Sequence, residues 1–328
     1  MKHVNVSLFV PFLGCSHRCS FCDQKAITGR ETSVTPDDVV RAAQTAIASG
    51  ADTAGGQIAF FGGSFTMLRR ETMCALLEAA QPFIENGAFS GIRISTRPDA
   101  IDPAVLSLLK QYHVTSIELG CQSTDDRVLV LNERGHTKAD IERACKLIRS
   151  SGIELGVQMM TGLPGDTDAG ALQTAQDLLL FRAQTARIYP TLVLRNTRLA
   201  QWWQSGDYVP QTLDSAVTLC TQLLMRFENA GVPVIRLGLH AQTDLQENLL
   251  AGPFHPAFRE LCEGKRYLDG ILQLLSGWEP GEYTLFVGSR FLSKAAGQNR
   301  RNLQFLLQRG YHIHLRGKDA LALYEIQG

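Results

Sequence analysis

Val4-Asn5-Val6-Ser7-Leu8-Phe9-Val10-Pro11-Phe12-Leu13-Gly14-Cys15-Ser16-His17-Arg18-Cys19-Ser20-Phe21-Cys22 is the stretch on which the reading of this chain turns. Its apolar part, Val4 to Leu13, reads as a strand. The loop after it carries Cys15, Cys19 and Cys22 in the spacing C-x-x-x-C-x-x-C, so three of the chain's eight cysteines fall between positions 15 and 22. Thiolates are soft ligands that suit zinc or an iron-sulfur cluster. A four-iron cluster normally takes four cysteines, so three would leave one iron open to bind something else. A closed zinc site wants four ligands, and His17 or a distant residue would have to complete it. A chance cluster of core cysteines is the remaining alternative. The iron-sulfur reading fits three thiols on one loop best.

Outward from this loop, strand-like and helix-like runs alternate. Strands are expected at Gln57–Phe61, Gly91–Ser95, Ser116–Gly120, Glu154–Met160 and Thr185–Leu194. Helices are expected at Pro36–Ser49, Glu71–Ile84, Pro103–Tyr112, Lys138–Ser150, Ala169–Phe181 and Leu213–Asn229. Six strand-helix units in a row imply a parallel sheet covered by helices. No Gly-x-Gly-x-x-Gly follows the first strand, which counts against a dinucleotide-binding fold. The unusual residue clusters fall at the carboxyl ends of the strands, where such folds bind ligands. The alternation fades near residue 240, and Ala251 to Pro256 reads as a junction. The tail then runs helix (Ala257–Leu275), strand (Tyr283–Val287), helix (Asn299–Gln308), strand (Tyr311–Leu315). The expected fold is α/β, a partial barrel of about six units over residues 1–245, with a small α+β domain over 246–328.

The composition excludes several classes. The chain has 328 residues, 45% hydrophobic and 20% charged, an ordinary globular mix. Thirty-two basic residues balance 32 acidic ones, so any basic surface must be local. Leu13-Gly14-Cys15 resembles the end of a lipoprotein signal, but only Lys2 precedes it as a basic residue and the apolar run is poor. The first apolar stretch is too short for a membrane helix. The expected setting is cytoplasmic, with reduced thiols and no membrane partner.

Cys-x-x-x-Cys-x-Phe-Cys after the first strand resembles the radical S-adenosylmethionine (SAM) superfamily. That resemblance implies a 4Fe-4S cluster on Cys15, Cys19 and Cys22, with its open iron chelated by SAM and a low-potential electron donor of the flavodoxin or ferredoxin type. It places Phe21 near the adenine. It brings the cofactor's amino group to Gly62-Gly63, where Ser64 stands in place of an acid common in the superfamily. In the related oxygen-independent coproporphyrinogen oxidases, a Gln and an Arg spaced like Gln122 and Arg134 contact the cofactor. Gln158 occupies the position of an acidic contact there, so that contact is altered. Glu118 and Arg97 each read as either a ligand contact or a salt-bridge residue, and Cys121 and Cys145 as core residues.

Ile94 to Asp99, Ile117 to Ser123, Asn132 to Thr137, Met159 to Pro164, Tyr189 to Thr197 and Trp203 to Tyr208 are together similar to the catalytic subunit of Elongator, whose family modifies wobble uridine in tRNA. The similarity covers roughly residues 1–210. Two departures stand out. The first two cluster cysteines are closer together here, and the expected chain is a shorter relative without the acetyltransferase domain, so the carboxymethyl-forming reaction is not carried over. A small porphyrin-type or metabolite substrate, or a zinc-stabilised RNA-binding protein without turnover, are the alternatives. From Tyr283 to Lys318 there are seven basic residues and no acidic one, with Phe291, Phe305, Tyr311, His312 and His314 among them. That pattern suits RNA, or else a solvated basic face.

Overall fold

The computed structural model describes residues 4–10, 19–23, 34–239 and 243–328. Cys15 and His17 lie outside them. The sheet is built in chain order from β1 (Val6–Val10), β2 (Gln57–Gly62), β3 (Gly91–Thr96), β4 (Val114–Gln122), β5 (Glu154–Thr161) and β6 (Thr185–Pro190). A short β7 (Val193–Leu194) leaves this sheet, and β8 (Val234–Leu237) rejoins it beside β6. All pairings within the seven-stranded sheet are parallel. The sheet stays open between β1 and β8. This is the partial barrel the sequence led us to expect, with one strand more.

The connecting helices are α1 (Pro36–Ala48), α2 (Arg70–Glu85), α3 (Pro103–Gln111), α4 (Asp126–Leu131), α5 (Lys138–Ser150), α6 (Asp168–Leu180), α7 (Arg198–Ser205) and α8 (Leu213–Asn229). Their starts are written locally. Thr35 with Asp38, and Thr137 with Asp140, form reciprocal capping boxes that satisfy the first free N–H groups of α1 and α5.

Side chains alternate across the strands. One set, including Ile58, Phe60, Ile92, Ile94, Ile117, Leu155, Val157 and Ile188, is fully buried in the main core. Each such side chain contributes about 1.5–3 kcal/mol by leaving water. The other set is largely polar and lines the hollow of the half-barrel. One face of the sheet therefore carries the stability and the other is free for chemistry.

Three expectations are corrected. Thr185–Leu194 is not one strand: Pro190 has no N–H to continue the ladder, and Val193–Leu194 pairs instead, antiparallel, with β9 (Leu249–Ala251). Val234–Leu237, α4 and α7 were not foreseen, being only four to eight residues long. The helix expected from Asn299 begins two residues later, because Asn299 and Arg300 have φ of 52° and 61°.

After α9 (Thr243–Asn248), α10 (Phe258–Leu274) spans two cores. Its Phe258, Leu261 and Cys262 belong to the main core, and its Leu268 and Ile271 pack with Leu285, Leu306 and Ile313. The tail comprises β10 (Gly281–Val287), α11 (Leu292–Ala296), α12 (Arg301–Gln308), β11 (Tyr311–Gly317) and β12 (Ile326–Gln327), with sheet order β11-β10-β12. Among the described residues, no helix is long and apolar enough to cross a membrane.

Candidate cofactor and substrate cavity

The floor of the hollow is an ion network drawn from five strands. Arg93 Nη1 meets Glu118 Oε1 at 3.0 Å, its Nη2 meets Glu154 Oε1 at 3.4 Å, and its Nε donates to Gln57 Oε1 at 2.7 Å. Arg187 grips Glu118 from the other side, with Nη2 2.6 Å from Oε1 and Nε against Oε2. The Arg187 guanidinium also lies 4.6 Å from the centre of the Phe61 ring. Gly156 makes room for this: a Cβ there would sit 3.2 Å from Glu118 Cγ and 2.8 Å from Thr185 Oγ1. Two arginines and two carboxylates balance one another, as buried charge requires. Glu118 and Arg97 thus both take the ion-pair role. Arg97 Nε meets Asp99 Oδ1 at 2.9 Å, and its Nη2 donates to the Arg134 carbonyl. Both also border the cavity.

Above the floor lies a cavity of about 680 Å³. Cys19, Phe21, Cys22, Gly62, Gly63, Ser64, Gln122, Arg134 and Gln158 all line it. Every described residue that the sequence nominated for the cluster and the cofactor is therefore brought to one place; Cys15 lies outside the described residues. Arg134 donates from Nη1 to Cys19 Sγ at 2.9 Å and from Nη2 to the Gly120 carbonyl at 2.7 Å. A bulge in β4 skips Cys121, so that Gln122 rather than Cys121 pairs with Met159. Gln122 takes a left-handed φ of 68°, an uncommon state for a side-chain-bearing residue that marks functional turns. Its Oε1 accepts from Gln158 Nε2 at 3.3 Å. Gly62 has φ of 104°, and a Cβ there would stand 3.2 Å from the Val10 carbonyl. Ser64 is buried, with Oγ 2.8 Å from Thr96 Oγ1, so its hydroxyl ties β2 to β3.

The residues that seat the cysteine segment were missed. Ser20 Oγ donates to Asn132 Oδ1 at 2.8 Å, and Ser20 N–H donates to the Asn132 carbonyl at 3.3 Å. The Asn132 amide in turn donates to the carbonyls of Val128 at 2.8 Å and Pro164 at 3.0 Å. Leu199 N–H donates to the Ser20 carbonyl at 2.8 Å. Phe21 wedges against two apolar clusters, one with Met160 and Leu163, the other with Val193 and Leu199. The only hint in the sequence was Asn132 standing two residues before Arg134.

Electrostatics separate the cavity from the core. His136 is buried, with Nε2 3.3 Å from the Cys121 carbonyl, and its pKa is lowered to about 4, first by burial and then by the Arg134 and Arg97 charges. The imidazole is neutral at pH 7. Burial pushes the Cys145 and Cys220 thiols up to about 12 and raises Cys121 as well, so these core thiols are inert, as the sequence reading had it for Cys121 and Cys145.

Comparison with known proteins agrees with this geometry. The profile of the "Radical SAM superfamily" matches residues 9–178, and that of the "Radical_SAM C-terminal domain" matches residues 183–268. A tRNA uridine(34) acetyltransferase of Dehalococcoides mccartyi is 35% identical over 123 residues, 37% of this chain and 27% of that protein. Elongator complex protein 3 of Dictyostelium discoideum is 33% identical over 176 residues, 52% of this chain and 31% of that protein. The chain thus matches less than a third of the length of these two relatives. In fold it resembles Elp3 of the archaeon Methanocaldococcus infernus, with a TM-score of 0.63 and 19% identity over 81% of this chain and 64% of that one.

Proposed function

The chain belongs to the radical SAM superfamily and is a radical SAM enzyme, and on that premise we propose that it holds a 4Fe-4S cluster on Cys15, Cys19 and Cys22, cleaves SAM reductively, and acts on tRNA. The observation that carries this reading is the meeting of Cys19 and Cys22 with Gly62, Gly63, Gln122 and Arg134 around one cavity at the carboxyl-end side of the sheet.

The residues present fit such a group. The donors are soft sulfurs, and the Arg134 guanidinium on Cys19 Sγ complements the negative charge of a ligating thiolate. When bound, the cluster would supply the electron that splits SAM into methionine and a 5'-deoxyadenosyl radical. The chain's own residues do the positioning. Ser20 and Asn132 fix the cysteine segment, and Phe21 closes it with an apolar surface. Gly62 and Gly63 leave backbone exposed to a ligand's polar end. Gln122 and Gln158 offer amides to polar groups of the cofactor. The buried floor excludes water from below. The electron would come from a low-potential carrier of the flavodoxin or ferredoxin type.

Two features support tRNA as substrate: the relatives named for tRNA uridine(34), and the basic segment 283–318. In that segment Lys294 pairs with Glu263 and Arg301 with Asp214. Arg290, Arg300, Arg309, Arg316 and Lys318 form no ion pair with a carboxylate among the described residues. The test is binding of labelled tRNA to the full chain in rising salt. A steep loss of affinity between 50 and 200 mM salt, with weaker binding by an Arg309→Ala, Arg316→Ala double variant, is the expected result. Absence of saturable binding at low salt would remove tRNA as substrate.

A further inference from the structure

Among the described residues, four arginines and one carboxylate line the cavity: Arg97, Arg134, Arg187, Arg236 and Glu118. Three of the four guanidinium groups are answered. Arg97 has Asp99, Arg134 has the Cys19 sulfur, and Arg187 has Glu118. Among the described residues, Arg236 has the Gly238 carbonyl, which accepts from its Nε at 2.9 Å, and no carboxylate partner.

Its placement is built into the sheet. Val234 pairs with Ala186, but Arg236 pairs with Arg187, so Ile235 is the extra residue of a bulge. Without the bulge, Arg236 would stand one residue out of register and point away from Arg187. The bulge sets a second guanidinium beside one whose carboxylate is already shared with Arg93. Burial lowers the Arg236 pKa, and the neighbouring Arg187 and Arg259 charges add to that, while Tyr189 opposes it. Tyr189 stands next to the pair, accepting from Arg187 Nη1 at 3.5 Å, which leaves its own O–H proton to give. Arg236 and Tyr189 both line the cavity, no hydrogen bond engages the Arg236 Nη groups among the described residues, and a half-buried cation of this kind is stabilised by an anionic partner.

We propose that Arg236, with Tyr189, binds an oxyanion carried by the substrate, a phosphate or a carboxylate, at the β6–β8 edge of the cavity. The substrate of the proposed radical SAM site is then anionic, and the inference rests on that reading for the word substrate. The site itself is tested without cofactor. The full-length protein is titrated calorimetrically with inorganic phosphate and, separately, malonate, at constant ionic strength in chloride. Wild type is expected to bind one equivalent of the preferred anion, and the better of the two identifies the substrate group. Arg236→Gln is expected to weaken that binding at least tenfold, Arg236→Lys by less, and Lys146→Gln on the exposed face of α5 to leave it unchanged. Circular dichroism checks that each variant is folded, and Arg236→Lys serves should the neutral variant fail to fold. Equal binding by wild type and Arg236→Gln, or no saturable binding of either anion, overturns the proposal. One-for-one displacement of the anion by SAM would give the corner to the cofactor and overturn it too. Because no cluster is needed, this result is independent of whether SAM is cleaved.

Discussion

On the concave face of the seven-stranded sheet, the Glu118 side chain is 3% exposed and is held by two arginines; on the exposed face of β10–β11, Glu282 is 68% exposed and pairs with His314. Both faces are polar, yet they are polar for different reasons. The tail sheet faces water, which solvates its charges at little cost. The floor of the barrel does not, so each charge there had to be matched by another strand. A polar face that is buried and balanced is a scaffold for a site. A polar face that is exposed leaves its charges to water.

That contrast is easiest to break at Glu118. Glu118→Ala leaves Arg93 and Arg187 without their shared carboxylate and is expected to cost about 3–5 kcal/mol in urea unfolding. A loss below about 1 kcal/mol would show that the floor is wetter than it looks. His136 comes next. With its folded pKa near 4 against the ordinary 6.5, the neutral imidazole contributes about 3 kcal/mol. The sign is that of a depressed base: the contribution is complete above pH 6.5 and is lost as the pH falls through 4. Asp166, raised to about 6 by burial, acts in the opposite direction over part of that range. Nitrogen NMR of the His136 ring isolates the group, and an imidazolium at pH 6 would contradict the burial argument.

Gly156→Ala sharpens the same comparison sterically. The added methyl would press on Glu118 and Thr185 and is expected to cost about 1–3 kcal/mol of thermal stability. The smallest effect belongs to the surface. Arg301→Ala removes a pair whose side chains are 60% and 75% exposed and is expected to cost at most about 1 kcal/mol, less in high salt. A larger or salt-independent loss would make that part of the tail structural.

The sequence revealed most where structure is written locally. Lys138–Ser150 and Leu213–Asn229 come out as read because Thr137 and Thr212 cap them and their apolar spacing is regular. The cavity wall was legible too, because most of its residues stand in or just beyond the carboxyl halves of strands. What escaped depends on distance along the chain or on brevity. Val234–Leu237 has four residues, one of them an arginine, so no apolar run marks it. Asn132 acts on Ser20 across 112 positions. The floor network draws on strands spread from β2 to β6, and no local pattern announces which Glu meets which Arg. The left-handed Gln122 sits in a bulge that only the pairing with β5 exposes.

The central claim is that Cys19 and Cys22, with Cys15, hold a cluster that splits SAM. It is tested most directly by anaerobic reconstitution with iron and sulfide, followed by metal analysis and a 5'-deoxyadenosine assay with dithionite and SAM. The account predicts about four irons per chain and 5'-deoxyadenosine that disappears in Cys19→Ala. One zinc per chain and no 5'-deoxyadenosine from the wild type would contradict it.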